Sequence, residues 1–254
     1  MYAWTGRAGV LLPDGLLELA ADKCLAGAFA RGDGPPLARV EWLAAADAPA
    51  LPRALNGYHG PLGSFDVDAG AGLARVRLDG TQDSAVAALR LGWNLATEAC
   101  GGLLVHASGV AFGDRAVLAV GESGAGKSTF ARLCLEAGAT LLSDEILGLY
   151  PDGTCAGTPF RSDLPRAGQP GPFRAAAVLT LQKGDEERLL PVVPQAFMQA
   201  CLGQAFPGVT TGHGETFRRL AAFLAHAEAR TFWFRKSPDV GAFIRDWLGS
   251  LPRP

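Results

Sequence analysis

What the sequence lacks narrows it first. It contains no CxxC pair, and its five cysteines, Cys24, Cys100, Cys134, Cys155 and Cys201, are scattered and odd in number. That spacing argues against a zinc knuckle or a disulfide framework, so a reducing, cytoplasmic setting is expected. It also lacks a charge excess, with 23 basic against 25 acidic side chains. Such a balance leaves no electrostatic footprint for nucleic acid or for an anionic membrane, so neither is expected as a partner. No uncharged apolar run comes near the ~18 residues that a bilayer-spanning helix needs. The opening segment MYAWTGRAGVLLPDGLLELAADKC is not expected to be a signal peptide. Pro13, Asp14 and Glu18 break its apolar run, and its basic stretch is a single Arg7. No internal repeat is visible.

What is present is a large apolar fraction. The 254 residues are 48% hydrophobic, enough for a sizeable core and one or two domains. Residues 1–82 read as a β-rich region of unclear role packed on the rest. LARVEWLA and LARVRLDG alternate like short strands, and GDGPP, NGYHGPLG and DAGAG read as turns. Tyr58 and His59 fall in one of those turns, where a histidine without a visible partner carries no chemistry.

From residue 83 onward strands and helices alternate, which predicts an α/β class. In DSAVAALRLGWNLATEACGG, Val86, Leu89, Trp93 and Ala96 recur at helical spacing, Asp83 or Ser84 is the expected cap, and Gly101 and Gly102 supply the stop. LLVHASGVAF and AVLAV read as buried strands, and a helix is expected from Lys127 to about Ala137. ATLLSDEILGLY reads as a strand pair or a bent strand. PDGTCAGTPFRSDLPRAGQPGP reads as one long loop of the kind that is usually functional. RAAAVLTLQK and ARTFWFRKS complete the strands, with Trp233 expected in the core. Helices are expected after Pro194, over ETFRRLAAFLAHAE with His226 at its boundary, and over DVGAFIRDWLG. His213 is expected in a Gly-rich linker. The FRR and RTFWFRK clusters read as a solvated edge.

The chemistry concentrates in AVLAVGESGAGKSTFARL. Gly121, Glu122, Ser123, Gly124, Ala125, Gly126, Lys127 and Ser128 match G-x-x-x-x-G-K-[ST], with Thr129 following. Glycines let successive backbone N–H groups converge on phosphate oxygens. The helix that follows aims the positive end of its dipole at the same anion. Lys127 is expected to reach the β- and γ-phosphates of a nucleotide and Ser128 to place its hydroxyl on Mg²⁺. The strand before the loop and the helix after it supply the context this pattern requires.

Two further segments belong with it. Asp144 in LLSDE lies 17 positions after Lys127, at the end of the next expected strand. There it can hold Mg²⁺ or take a proton from an attacking hydroxyl. Glu145 is adjacent, and both acids face one site only if the strand ends or bends there. His106 lies 21 positions before Lys127 on the preceding strand. It is either a satisfied core residue or, near phosphate and two carboxylates, a protonated group that supports the base. Arg161 in the long loop can contact phosphate or acceptor, or be a solvated charge.

At this point VHASGV…GESGAGKST…LLSDE resembles the catalytic domain of HPr kinase/phosphorylase and its smaller relatives, the HPr-kinase-like serine kinases. The resemblance covers roughly residues 84–182 and extends weakly through FWFRKSPDV. It implies a P-loop fold of the phosphoenolpyruvate-carboxykinase-like kind, a mixed sheet flanked by helices. It implies an ATP- and Mg²⁺-dependent kinase acting on a serine-type hydroxyl of a protein or peptide, and it leaves room for a homo-oligomer. By motif match Asp144 is the base and metal-linked acid, His106 supports it, Lys127 binds phosphates and Ser128 binds Mg²⁺. The second acid is Glu145 where the family usually carries Asp, and GPFRAAAVLTL stands where a longer signature of the true HPr kinases lies. Residues 1 to about 80 do not look like their N-terminal domain, so HPr is not the expected acceptor. A metabolite kinase and a non-catalytic nucleotide-binding regulatory module are the rival readings.

Overall fold

The computed structural model describes residues 2–24, 29, 36–42, 63–68, 70–78 and 81–252. Tyr58, His59 and most of the turn that holds them lie outside the described residues. The described part is a mixed α/β structure with a multi-stranded sheet flanked by helices.

The N-terminal segments form a sheet of their own. Strands β1 (Tyr2–Trp4), β2 (Gly9–Leu11), β3 (Ala38–Trp42), β4 (Gly63–Asp68) and β5 (Leu73–Leu78) lie in the order β1-β2-β3-β5-β4. A short helix α1 (Leu16–Leu19) precedes β3, and the two alternating segments supply β3 and β5, which pair in parallel. Helix α2 (Gln82–Ala99) covers this sheet and buries Val86, Leu89, Trp93 and Ala96 at the spacing the sequence showed. Its cap is Thr81, not Asp83 or Ser84: the Thr81 hydroxyl accepts the Ser84 N–H at 3.2 Å. The first turn is polar, so the apolar period marks the helix only after it has begun. A Cβ on Gly92 would stand 2.6 Å from a Val40 methyl, so the absence of a side chain there lets α2 settle close to the sheet. Helix and sheet share one apolar core with Val10, Val40 and Val76.

The second sheet has eight strands. They are β6 (Leu103–Phe112), β7 (Arg115–Val120), β8 (Thr140–Ser143), β9 (Ile146–Leu149), β10 (Thr154–Gly157), β11 (Phe173–Lys183), β12 (Arg188–Pro191) and β13 (Glu228–Phe234). The order is β10-β9-β6-β7-β11-β13-β12, with β8 on β6. β10 also pairs with β11, so five of the strands close on themselves. β7, β11 and β13 run parallel, and β6 runs antiparallel to β7.

Alternation along each strand divides its side chains between two faces. Ala116, Leu118 and Val120 of β7 meet Phe197 and Cys201 of α4 (Pro194–Leu202) and Phe223 of α5 (His213–Leu224). Val117 and Ala119 meet Phe130 and Leu133 of α3 (Lys127–Glu136) and Ile244 of α6 (Asp239–Ser250).

Several local expectations change. The loop after Tyr150 contains β10, a four-residue strand too short to show a period. His213 opens α5 instead of lying in a linker, behind Gly212, which offers no side-chain cap as a signal. His226 stands exposed beyond the end of that helix. Trp233 is half-buried, on the face opposite the core residues Phe232 and Phe234, as strand alternation requires. Arg219 is not solvated: its guanidinium donates to the Gly102 carbonyl at 2.7 Å. Among the described residues no helix is long and apolar enough to cross a membrane.

Candidate functional site

Segments from three strands of the larger sheet meet at the carboxyl end of β7. β7 leads into the glycine loop, which turns through Gly124 (φ 82°) and Gly126 (φ 100°) and opens α3. L-side chains avoid that region, so the glycines fix where the chain bends. Gly126 is the N-cap and no side chain caps the helix, so the first-turn N–H groups of α3 receive no side-chain acceptor at this cap. Lys127 is buried, and its ammonium folds back across the loop, donating to the carbonyls of Gly121 at 2.7 Å and Glu122 at 3.2 Å.

β6 places Ala107 opposite Val120, which brings His106 beside the first glycine of the loop. β8 pairs with the other edge of β6, Ser143 opposite Gly109, and carries Asp144 to the same end. The strand then breaks. The Ser143 hydroxyl accepts the N–H groups of Glu145 at 3.2 Å and Ile146 at 3.1 Å and donates to the Phe160 carbonyl at 3.2 Å. This interruption is the condition under which both acids can face one site, because a continuous strand would turn them to opposite sides.

His106, Lys127, Ser128, Thr129 and Asp144 line a single cavity of about 250 Å³, with Ser123, Gly124 and Gly126 on its loop side. Gly121, Glu122 and Ala125 instead face a neighbouring cavity of about 470 Å³, where Thr180, Leu181 and Ala200 complete the wall.

The two acids are held differently. Asp144 is 2% exposed; one carboxylate oxygen accepts the Ser162 N–H at 3.0 Å and the other the Leu164 N–H at 2.8 Å. Glu145 accepts an Arg90 guanidinium N–H at 2.8 Å, and His106 Nδ1 stands 3.8 Å from the same oxygen. That last distance is a charge contact, too long for a hydrogen bond.

Burial lowers the pKa of His106; Glu145 opposes the shift, while Lys127 and Arg90 add to it. Among the protein's own groups burial outweighs the nearby carboxylate, and these groups alone hold the His106 pKa down. Burial also lowers the pKa of Lys127, again against the pull of Glu145.

Residues that sequence reasoning passed over complete the site. Ser162 and Asp163 line the cavity where Arg161 does not. Lys183, ending β11, and Lys236, following β13, also line it. Both lie at the carboxyl ends of strands parallel to β7, where open α/β sheets place their ligands, a signal that exists only once the pairing is known. Arg90 of α2, which donates to Glu145, lies off the apolar period of that helix, and such a period says nothing of the polar face.

Cationic side chains, helix N–H groups and carboxylates around one cavity are the groups that suit a polyphosphate with a divalent cation. Among the described residues no group of three or more His, Cys, Asp or Glu is disposed to hold a metal. A magnesium ion shared with phosphate needs only one or two protein ligands, since phosphate oxygens and waters supply the rest. No family model matches the sequence, and no curated protein matches it.

Proposed function

We propose that the chain is an ATP-dependent kinase, similar to the HPr-kinase-like serine kinases in its P-loop architecture, that transfers the γ-phosphoryl group to a serine-type hydroxyl of a protein or peptide. The observation that carries this reading is the meeting of His106, Lys127 and Asp144, from three separate segments, around one cavity. The loop N–H groups, the α3 N-terminus and the Lys127 ammonium would hold the triphosphate. Ser128 and Asp144 would hold Mg²⁺, which neutralises phosphate charge. The amide bonds on Asp144 do not preclude this, because each carboxylate oxygen keeps a second lone pair. Asp144 would accept the proton of the attacking hydroxyl as its oxygen bonds to the γ-phosphorus and the bond to the bridging oxygen breaks, releasing ADP. His106, lining the same cavity, would support the base.

A second reading, a nucleotide-binding regulatory module without transfer, is favoured by one observation. Both Asp144 oxygens are already engaged by loop amides.

The deciding experiment incubates the full chain with γ-labelled ATP and Mg²⁺, against serine-containing peptides and against hydroxyl metabolites in separate panels. Label on peptides that disappears in Lys127→Ala and in folded Asp144→Asn supports the kinase. Label on metabolites alone moves the substrate class. Tight ATP binding with no labelled product in either panel supports the module, and equal transfer by wild type and both variants refutes the site.

A further inference from the structure

A carboxylate beside a phosphate site raises an electrostatic problem, and Glu145 is such a carboxylate. Its side chain is 15% exposed and its charge reaches both the Lys127 ammonium and the His106 ring. Left unpaired, it would draw Lys127 into an ion pair and repel an incoming anion. It is not unpaired. Arg90, reaching across from α2, donates to it at 2.8 Å.

The guanidinium is itself held. Its central carbon stands 5.9 Å from the centroid of the Phe160 ring. That ring packs edge-on against Trp93, one turn along α2 from Arg90, at 5.9 Å and 78°. Among the described residues Glu145 has Arg90 and His106 within 4 Å and feels the charge of Lys127, and of these only Arg90 makes a direct hydrogen bond to its carboxylate.

We infer that Arg90 is a positioning residue: by fixing and neutralising Glu145 it keeps that carboxylate off Lys127, so that the ammonium stays available to a polyphosphate. This rests on the nucleotide-binding reading above. It also divides the acidic pair, with Asp144 left to meet the reacting groups and Glu145 committed to the Arg90 contact.

The test is ATP affinity, measured by calorimetry on the full chain with Mg²⁺ and ATP as the probe. Arg90→Met keeps an unbranched apolar side chain and removes the charge; its Kd should rise roughly tenfold, the scale expected for one competing charge interaction in a partly solvated site. Two changes should reverse the loss. Arg90→Lys restores a donor and should lie within about threefold of wild type, and Glu145→Gln added to Arg90→Met should return the Kd toward the wild-type value. A purely structural role for Arg90 would not be rescued by removing Glu145.

If Arg90→Met binds ATP as wild type does, the inference fails while the nucleotide reading stands. If the double variant stays weak, Arg90 acts by another route and the inference fails. If the wild type itself does not bind ATP, the nucleotide reading falls and this inference with it. Should Arg90→Met not fold, Glu145→Gln alone decides: unchanged or tighter ATP binding supports the inference, and weaker binding overturns it.

Discussion

Replacing Asp144 by asparagine should destabilise the fold as well as any reaction. The carboxylate is 2% exposed and receives two backbone N–H groups, from Ser162 at 3.0 Å and Leu164 at 2.8 Å. Asparagine keeps one oxygen acceptor and turns an NH₂ toward the other N–H, so one bond is lost and the survivor is no longer charge-assisted. Bonds to charged groups contribute ~1.5–3 kcal/mol against ~0.5–1.5 for neutral ones, so the combined loss is about 3 kcal/mol. For a chain of this size each kcal/mol moves the melting temperature by roughly 2–4 °C, which predicts a fall of about 6–12 °C. Thermal unfolding followed by circular dichroism at neutral pH measures it. An Asp144→Asn variant melting within about 2 °C of wild type would show that the loop amides do not lean on this carboxylate, and the reasoning would fail. Transfer assays on the variant belong well below its melting temperature, so that lost activity is not mistaken for lost structure.

Glu98, buried near the end of α2, accepts the N–H groups of Val209 and Thr210 and the Thr210 hydroxyl. Glu98→Gln should cost about 2 kcal/mol, read as a lower urea midpoint at unchanged slope. His106 titrates below its ordinary 6.5 in the folded chain, so the unfolded chain takes up the proton first as pH falls. Its contribution should be level above 6.5 and become increasingly unfavourable below it, until the folded-state value is passed. The stability difference between wild type and His106→Gln should follow that window, and a difference constant from neutral pH to pH 5 or so refutes the shift. Gly126→Ala places a Cβ at φ 100° and 3.3 Å from Phe234 Cζ. It should cost about 1–2 kcal/mol in stability and weaken ATP binding by displacing the loop, both measurable on one sample.

The parts legible in the sequence were those governed by local rules. AVLAV is read as a buried strand from its unbroken apolar run, and the structure buries Val117 and Ala119 on one face and Ala116 and Leu118 on the other. Gly124, Gly126 and Lys127 are read from the conformations and charges that a phosphate loop needs. The break after Ser143 was conditional, because a serine in a strand does not by itself announce a bend; its hydroxyl bonds locally to Glu145 and Ile146, but its third partner, Phe160, lies 17 positions away. Lys183, Lys236 and Arg90 were illegible for a stronger reason. Each reaches the site through strand pairing or helix docking between segments far apart in the chain, and no window of the sequence contains both partners.

The same long-range ties bear on residues 1–82. Glu145 is held by Arg90 of α2. Asp144 is held by amides of the 160–164 segment, and that segment leans on Trp93 of α2 through Phe160, on the Lys23 carbonyl through the Arg161 N–H, and on Cys24 by a single β-bridge. α2 in turn is fixed by the first sheet, whose Val10 and Val40 crowd the bare backbone at Gly92. Both acids therefore have ties to the N-terminal side, Asp144 also to β8 and, through Leu164, to the core beneath α3, while the glycine loop and Lys127 are oriented by β7 and α3. Cores respond to a lost methylene by local shifts that packed neighbours pass on. A change in the first sheet thus has a packed route to the acids through α2 and Phe160, and that packing is supplied by no residue of the G-x-x-x-x-G-K-[ST] motif.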